Sequence, residues 1–141
     1  MGCNLLDRDH EVLLRIIDRL KAALADREQR VLNGLLVSVE AYFDAHMESE
    51  EELMRVWEYP AREEHKREHD SVRGQMHVLA DAVRRGRTEL AETALQLLND
   101  WTCTHILGSD RPLALHLNIV GATKRRAAPR ARTFERSQPA A

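Results

Sequence analysis

Residues 59–69 read YPAREEHKREH, and the organisation of the chain can be worked out from there. Proline disfavours helical backbone in the residue before it and suits the first turn of a helix, so one helix ends near Tyr59 and another begins after Pro60. In this second helix His65 and His69 lie four positions apart. Their imidazoles therefore share one helix face, about 40° apart around the axis, where two nitrogens can bind one metal ion.

Apolar residues at helical spacing predict four long helices separated by short breaks. We place them at about residues 7–25, 28–58, 61–85 and from Thr88 onward, with Gly86 as the stop after the third. The fourth carries the apolar residues Leu90, Ala94, Leu97, Leu98 and Trp101. Short connections between long helices favour antiparallel neighbours, so the sequence predicts an all-α, up-down-up-down four-helix bundle.

The composition is that of a single helical domain. Of the 141 residues, 43% are hydrophobic and only 4% are aromatic, which favours helices over strands. Cys3 and Cys103 form no metal-knuckle or disulfide framework and suit a reducing compartment. No apolar run approaches the roughly 20 residues that span a bilayer, and no signal peptide is recognisable. We therefore expect a cytoplasmic monomer without a membrane partner.

Charge is distributed unevenly along the chain. The net charge is −2, but residues 121–141 contain six basic residues and one acidic residue. We therefore divide the chain into a bundle over residues 1–120 and a basic, disordered tail over residues 121–141. A basic tail can contact nucleic acid, yet charge alone is weak evidence for such a partner, and we expect none.

Two further helices carry residues of the metal-ligand type. In HMESE, residues 46–50, the spacing of His46 and Glu50 repeats that of His65 and His69. This pair offers one nitrogen and one carboxylate on a single helix face. His10 lies one turn before Leu13, at the start of the apolar stripe of the first helix.

The fourth helix contributes a less regular pair. His105 and Asp110 lie five positions apart in HILGSD, residues 105–110. A regular helix would turn their side chains about 140° away from each other. Both can face one metal ion only where the helix is distorted or ends, and Gly108-Ser109 with Pro112 beyond is a sequence typical of such a break.

Each feature has an ordinary alternative. A lone His-x-x-x-His pair is more often a surface pair, a single histidine on an apolar stripe is more often a hydrogen-bonded core residue, and acids 48–52 alone would be a solvated face. Together, however, the four helices contribute five imidazoles and two carboxylates. Burying these groups without a metal would cost several kcal/mol per unpaired group, so the pattern predicts a metal site.

The composition of this ligand set indicates which metal it suits. Five nitrogens and two carboxylates exceed what one tetrahedral zinc ion uses. Two octahedral iron ions bridged by carboxylates would use the whole set and leave positions for a bridging oxygen and a further ligand. The Glu-x-x-His motifs of ferritin-like di-iron enzymes are absent from the sequence, as is the HExxH motif of zinc proteases.

The sequence resembles the bacterial hemerythrins, non-haem di-iron proteins that bind dioxygen. Four elements carry the resemblance in the family's order and cover about residues 7–117: DRDH ending at His10, HMESEE from His46, YP-x4-HKREH from Tyr59 and W-x3-HILGSD from Trp101. The resemblance implies that His65, His69 and His105 saturate one iron and that His10 and His46 hold the second, which keeps an open position. It also implies that Glu50 and Asp110 bridge the irons beside an oxo or hydroxo group.

The resemblance also implies the function, reversible dioxygen binding for storage, delivery or sensing, without enzymatic turnover. We expect Met47, Trp101, Thr102 and Ile106 to line the dioxygen pocket. Met47 and Thr102 stand where the family commonly has Phe and Leu, and a hydroxyl at position 102 would admit water or donate a hydrogen bond. These two departures leave an alternative open, a di-iron enzyme that reduces peroxide or oxidises a small substrate. His77 and His116 match no ligand position.

Overall fold

A computed structural model gives the structure of the chain. It describes residues 4–127, and the side chains of residues 8–123. The described residues form helices joined by short turns, with no strand among them. The elements in chain order are α1 (Asn4–Ala25), α2 (Gln29–Val56), α3 (Arg62–Arg84), α4 (Thr88–His105), a π-helical turn (Ile106–Asp110), here called the π turn, and α5 (Arg111–Ala127).

The helices form a closed four-sided bundle. Helix α1 packs against α2 and α4, and α3 packs against the same two helices, so each helix has two neighbours. Because the turns between them are short, sequential helices run antiparallel. The predicted up-down-up-down bundle is confirmed. None of the helices described is long and apolar enough to cross a membrane.

The core fills the bundle interior with aliphatic side chains. Leu20, Leu36, Leu79 and Leu98, one from each helix, are at most 3% exposed. The cluster of histidines and carboxylates lies toward one end of the bundle, because His10 is near the start of α1 and the ligand-type residues of α2 are near its end. Antiparallel packing brings those two helix ends to the same level.

The structure differs from the prediction made from the sequence at the surface of α4 and at the end of the chain. Leu90 and Leu97 are 40% and 56% exposed, whereas Ala91 and Leu95 occupy the core. Helix α5 continues to Ala127, past the boundary that we placed at residue 120. The remainder of the tail that we expected to be disordered, residues 128–141, lies outside the described residues.

Three residues in the turns between helices have positive φ. Gly86, the predicted stop after the third helix, has φ of 64° and ends α3, as expected. Arg27 and Glu58 adopt the same left-handed conformation, with φ of 56° and 51°. This conformation costs a residue with a Cβ atom about 1 kcal/mol, whereas glycine adopts it freely.

We expect Glu58→Gly to raise the free energy of unfolding by about 1 kcal/mol, because glycine removes the steric cost of positive φ. Glu58 is exposed and follows α2. The matched control is Glu92→Gly at an exposed position inside α4, which should lower stability by about 1 kcal/mol. Urea denaturation of both variants measures the difference, and an equal loss in both would contradict the assignment.

Candidate metal centre

The structure brings all seven predicted ligand residues into one buried cluster. They come from α1, α2, α3, the end of α4 and the end of the π turn. None is more than 6% exposed, and Glu50 and His69 are fully buried. The seven residues are His10, His46, Glu50, His65, His69, His105 and Asp110.

The cluster divides into two groups that share both carboxylates. In each group one nitrogen or oxygen atom per residue lies within 4.8 Å of the corresponding atoms of all the others. The larger group consists of His65, His69, His105, Glu50 and Asp110. The smaller group consists of His10, His46, Glu50 and Asp110. This arrangement offers two adjacent positions for cations, one with three nitrogens and one with two.

Many polar atoms of the cluster are buried without a hydrogen-bond partner. They include Nε2 of His10 and His69 and all four carboxylate oxygens of Glu50 and Asp110. These atoms are nevertheless close together: His10 Nε2 lies 2.8 Å from Asp110 Oδ2, and His69 Nε2 lies 3.2 Å from Glu50 Oε2. Lone pairs that approach closely without hydrogen-bond alignment are the arrangement expected of ligands that converge on a shared cation. The residues therefore fit a metal site.

The carboxylates dominate the electrostatics of the cluster. Burial by itself would raise the pKa of Glu50 and of Asp110, but the neighbouring imidazoles outweigh it and hold each pKa below its usual value. Burial would likewise lower the pKa of His65, yet the carboxylates of Asp110 and Glu50, at 3.1 and 3.4 Å, raise it to about 9. Without a metal, a proton on His65 supplies part of the positive charge that the buried carboxylates require.

The π turn explains how His105 and Asp110 both reach the cluster. The N–H of Arg111 donates to the carbonyl of Ile106, five residues earlier, instead of four as in an α-helix. This wider turn places Asp110 Oδ1 2.9 Å from His105 Nε2. The distortion that the sequence predicted at Gly108-Ser109 is therefore present. It takes the form of a π-helical turn that connects α4 directly to α5.

Three carboxylates outside the cluster were missed by the sequence analysis. Each accepts a hydrogen bond from the Nδ1–H of a cluster histidine on the next helix along the chain. The pairs are Asp9 with His46 at 3.3 Å, Glu51 with His69 at 3.1 Å and Glu68 with His105 at 2.6 Å. An acceptor on Nδ1 fixes the ring orientation and leaves the Nε2 lone pair to face a metal.

A sequence signal for these three acids does exist. Each is adjacent in sequence to a cluster residue of its own helix: Asp9 precedes His10, Glu51 follows Glu50, and Glu68 precedes His69. One helical position turns a side chain by about 100°, which directs it toward a neighbouring helix instead of the bundle axis. Arg73 donates to Glu51 at 3.2 Å and partly balances its charge.

The predicted pocket residues surround a small cavity beside the cluster. It has a volume of about 10 Å³, and its walls include Met47, Trp101, Thr102 and Ile106 together with His10, Leu13, Phe43, His46, His69, His105 and Asp110. A cavity of this volume holds about one water-sized molecule. Trp101 stacks on the ring of His105, with centroids 4.3 Å apart.

The hydroxyl of Thr102 has its proton committed to its own helix. It donates to the carbonyl of Leu98 at 2.7 Å, so it does not donate into the cavity. Only its oxygen lone pairs remain to add polarity there.

Two histidines lie apart from the cluster, as the sequence analysis proposed. His116 is hydrogen-bonded through Nε2 to the carbonyl of Trp57 at 3.0 Å and packs edge-on against Tyr59. His77 is exposed on α3.

The fold and the cluster together define a class: an antiparallel helical bundle whose core suits two metal ions with shared carboxylates. The chain belongs to the hemerythrin family, since residues 1–114 match the family model described as the hemerythrin HHE cation binding domain. A bacteriohemerythrin of Aquifex aeolicus (strain VF5) is 26% identical over 121 residues, which are 83% of this chain and 91% of that protein. The resemblance seen in the sequence is thus confirmed.

We expect the metal-free protein to lose thermal stability as pH rises from about 6.5 to above 9. The folded-state pKa of His65 is raised from 6.5 to about 9, so its stabilising contribution is complete below pH 6.5 and is lost as pH rises through about 9. Melting temperatures of chelator-treated protein across this range measure the effect. The His65→Gln variant should lack this part of the slope, and identical slopes in both proteins would contradict the explanation.

Proposed function

We propose that this chain binds dioxygen reversibly at a non-haem di-iron centre, for storage, delivery or sensing. The observation that carries the proposal is the pair of ligand groups that share Glu50 and Asp110. Membership of a family of cation-binding domains supports it, and so do the buried ligand atoms that have no other partner. A dinuclear centre uses all of these atoms at once, whereas a single tetrahedral zinc ion would leave several unpaired.

The two groups suggest how the residues divide their roles. We assign His65, His69 and His105 to one iron and His10 and His46 to the other. Glu50 and Asp110, which belong to both groups, would bridge the irons beside an oxo or hydroxo group. The iron held by two histidines would have fewer protein ligands and would therefore be the one with a position for an external ligand.

The cavity supports a small, apolar ligand at that position. Both histidines of the smaller group contribute to its walls, as do His69 and His105 of the larger group. Leu13, Phe43 and Met47 close it with apolar surface. When bound, a ferrous pair supplies two electrons that dioxygen can accept and return. The apolar walls keep water and its protons away from the reacting atoms, which favours release of the ligand unchanged over loss of reduced oxygen species.

The size of the cavity also bears on the alternative, an enzyme that uses peroxide or a small organic substrate. A volume of about 10 Å³ corresponds to about one water-sized molecule, which favours a very small ligand over an organic substrate beside the cluster. Peroxide is also small enough to compete with dioxygen for this site. A measurement of turnover therefore distinguishes dioxygen binding from enzymatic activity. A stable oxygen adduct without steady-state peroxide consumption supports dioxygen binding.

Metal analysis and one spectrum test the proposal directly. We expect two irons per chain after anaerobic loading with Fe²⁺, and a new visible absorption band when oxygen is admitted that disappears when oxygen is removed. His69→Gln should lose iron because His69 is a fully buried cluster residue. The matched control His77→Gln, at an exposed position outside the cluster, should retain it. One zinc per chain, or a spectrum indifferent to oxygen, would refute the proposal.

Thr102→Val should slow the spontaneous decay of the oxygenated protein and leave its iron content unchanged. Valine has nearly the same shape but removes the one hydroxyl among the side chains that wall the cavity. Loss of one polar contact of about 1 kcal/mol corresponds to a rate change of about fivefold. The decay of the visible band in both proteins at one pH is the measurement. Equal rates would mean that the hydroxyl, already bonded to Leu98, adds no polarity to the cavity.

A further inference from the structure

One carboxylate oxygen connects α3 to both ends of the turn that follows α4. Glu68 Oε2 accepts a hydrogen bond from His105 Nδ1 at 2.6 Å and a second from the hydroxyl of Ser109 at 2.7 Å. The contact with His105 is shorter than a usual N–H···O hydrogen bond, as expected when the acceptor is charged, and the contact with Ser109 has the usual length of an O–H···O bond. Among the three carboxylates that hold cluster histidines, Glu68 makes the shortest contact.

The two donors lie near opposite ends of the π turn. His105 immediately precedes it, and Ser109 is its fourth residue, directly before Asp110. A single acceptor on α3 therefore contacts both the residue before the turn and a residue near its end. The backbone between these two contacts is the part of the helix that departs from regular α geometry, and Gly108 within it adds conformational freedom.

The same turn connects two members of the cluster, His105 directly before it and Asp110 at its end. Asp110 lies 2.9 Å from His105 through Oδ1 and 2.8 Å from His10 through Oδ2, so its position affects both ligand groups. In a regular helix its side chain would point about 140° away from His105. Any contact that favours the wider turn over the regular helix thus favours a complete cluster.

We propose that Glu68 and Ser109 are positioning residues that form a latch, holding the π turn against α3 so that His105 and Asp110 reach the metals together. The inference rests on the proposed di-iron site, but it concerns residues outside the ligand set. Ser109 acts through Glu68, and Glu68 acts through the ring of His105 and the backbone of the turn. Glu68 further selects the His105 tautomer that keeps its proton on Nδ1 and its lone pair on Nε2.

Electrostatics around Glu68 agree with this role. The side chain is 37% exposed, and burial would raise the pKa of this carboxyl, yet the hydrogen bonds from Ser109 and His105 lower it. Glu68 is therefore a charged acceptor under ordinary conditions. The nearby Glu64 provides a comparison, because it lines the same surface pocket beside His65 and is exposed.

The test measures Fe²⁺ affinity under anaerobic conditions by competition with a chelator, so it requires no oxygen reaction. Loss of an outer partner of a metal ligand weakens binding by about 10- to 100-fold. We expect a loss of about tenfold for Glu68→Gln and a smaller loss for Ser109→Ala. Ser109→Thr keeps the hydroxyl and should bind Fe²⁺ with the affinity of the wild type. The matched control Glu64→Gln should bind as the wild type does, and melting temperatures of the metal-free proteins verify that each variant folds.

A double variant separates the latch from two independent contacts. If Ser109 acts through Glu68, then Ser109→Ala adds no further loss of affinity in a Glu68→Ala background. Additive losses, or wild-type affinity in folded Ser109→Ala and Glu68→Gln proteins, would overturn the proposal. These outcomes are distinct from failure of the proposed function, which would appear in the wild-type protein as the absence of two bound irons.

Discussion

Two carboxylates buried at the centre of a helical bundle constrain most of the structure around them. Glu50 and Asp110 are at most 1% exposed, and each is surrounded by imidazole nitrogens. Removing such charges from water carries a large penalty that only nearby positive charge can offset. Metal ions supply that charge when bound, and protons on the histidines supply part of it otherwise. The four helices are therefore held by packing at one end of the bundle and by charge compensation at the other.

The irregular part of the fold follows from the same constraint. A pair of cluster residues spaced five apart cannot share a face of a regular α-helix, and the chain accommodates it by widening one turn at Ile106–Asp110. Such turns occur mostly at functional sites because they are less favourable than α-helix and need compensating contacts. Here the contacts from α3 and the contacts of Asp110 within the cluster both act on this segment.

The sequence predicted the parts of this protein that follow from periodicity. Helix positions, the bundle topology and the need for a distortion near Gly108 all come from spacing along one helix at a time. The roles of Asp9, Glu51 and Glu68 depend instead on which helix lies beside which, and in the sequence each resembles an ordinary solvated acid. The sequence also did not predict the exposure of Leu90 and Leu97. Apolar residues surround much of α4, so the pattern does not determine which of them face the core.

The three acid–histidine pairs also control how the helices align lengthwise. Each pair joins neighbouring helices at one level, and the contact between Asp110 and His10 returns from the end of the π turn to α1. A helix displaced by a single residue would move about 1.5 Å along its axis, enough to break its hydrogen bonds to the helices on both sides. Among the described residues, the loops at the opposite end of the bundle contain none of these acid–histidine pairs, although Gln29 Nε2 there donates to the carbonyl of Val83 at 3.4 Å. Changes in the length of those loops would therefore leave the acid–histidine pairs in register, whereas an insertion between the core and the cluster in any helix would displace that helix relative to its neighbours.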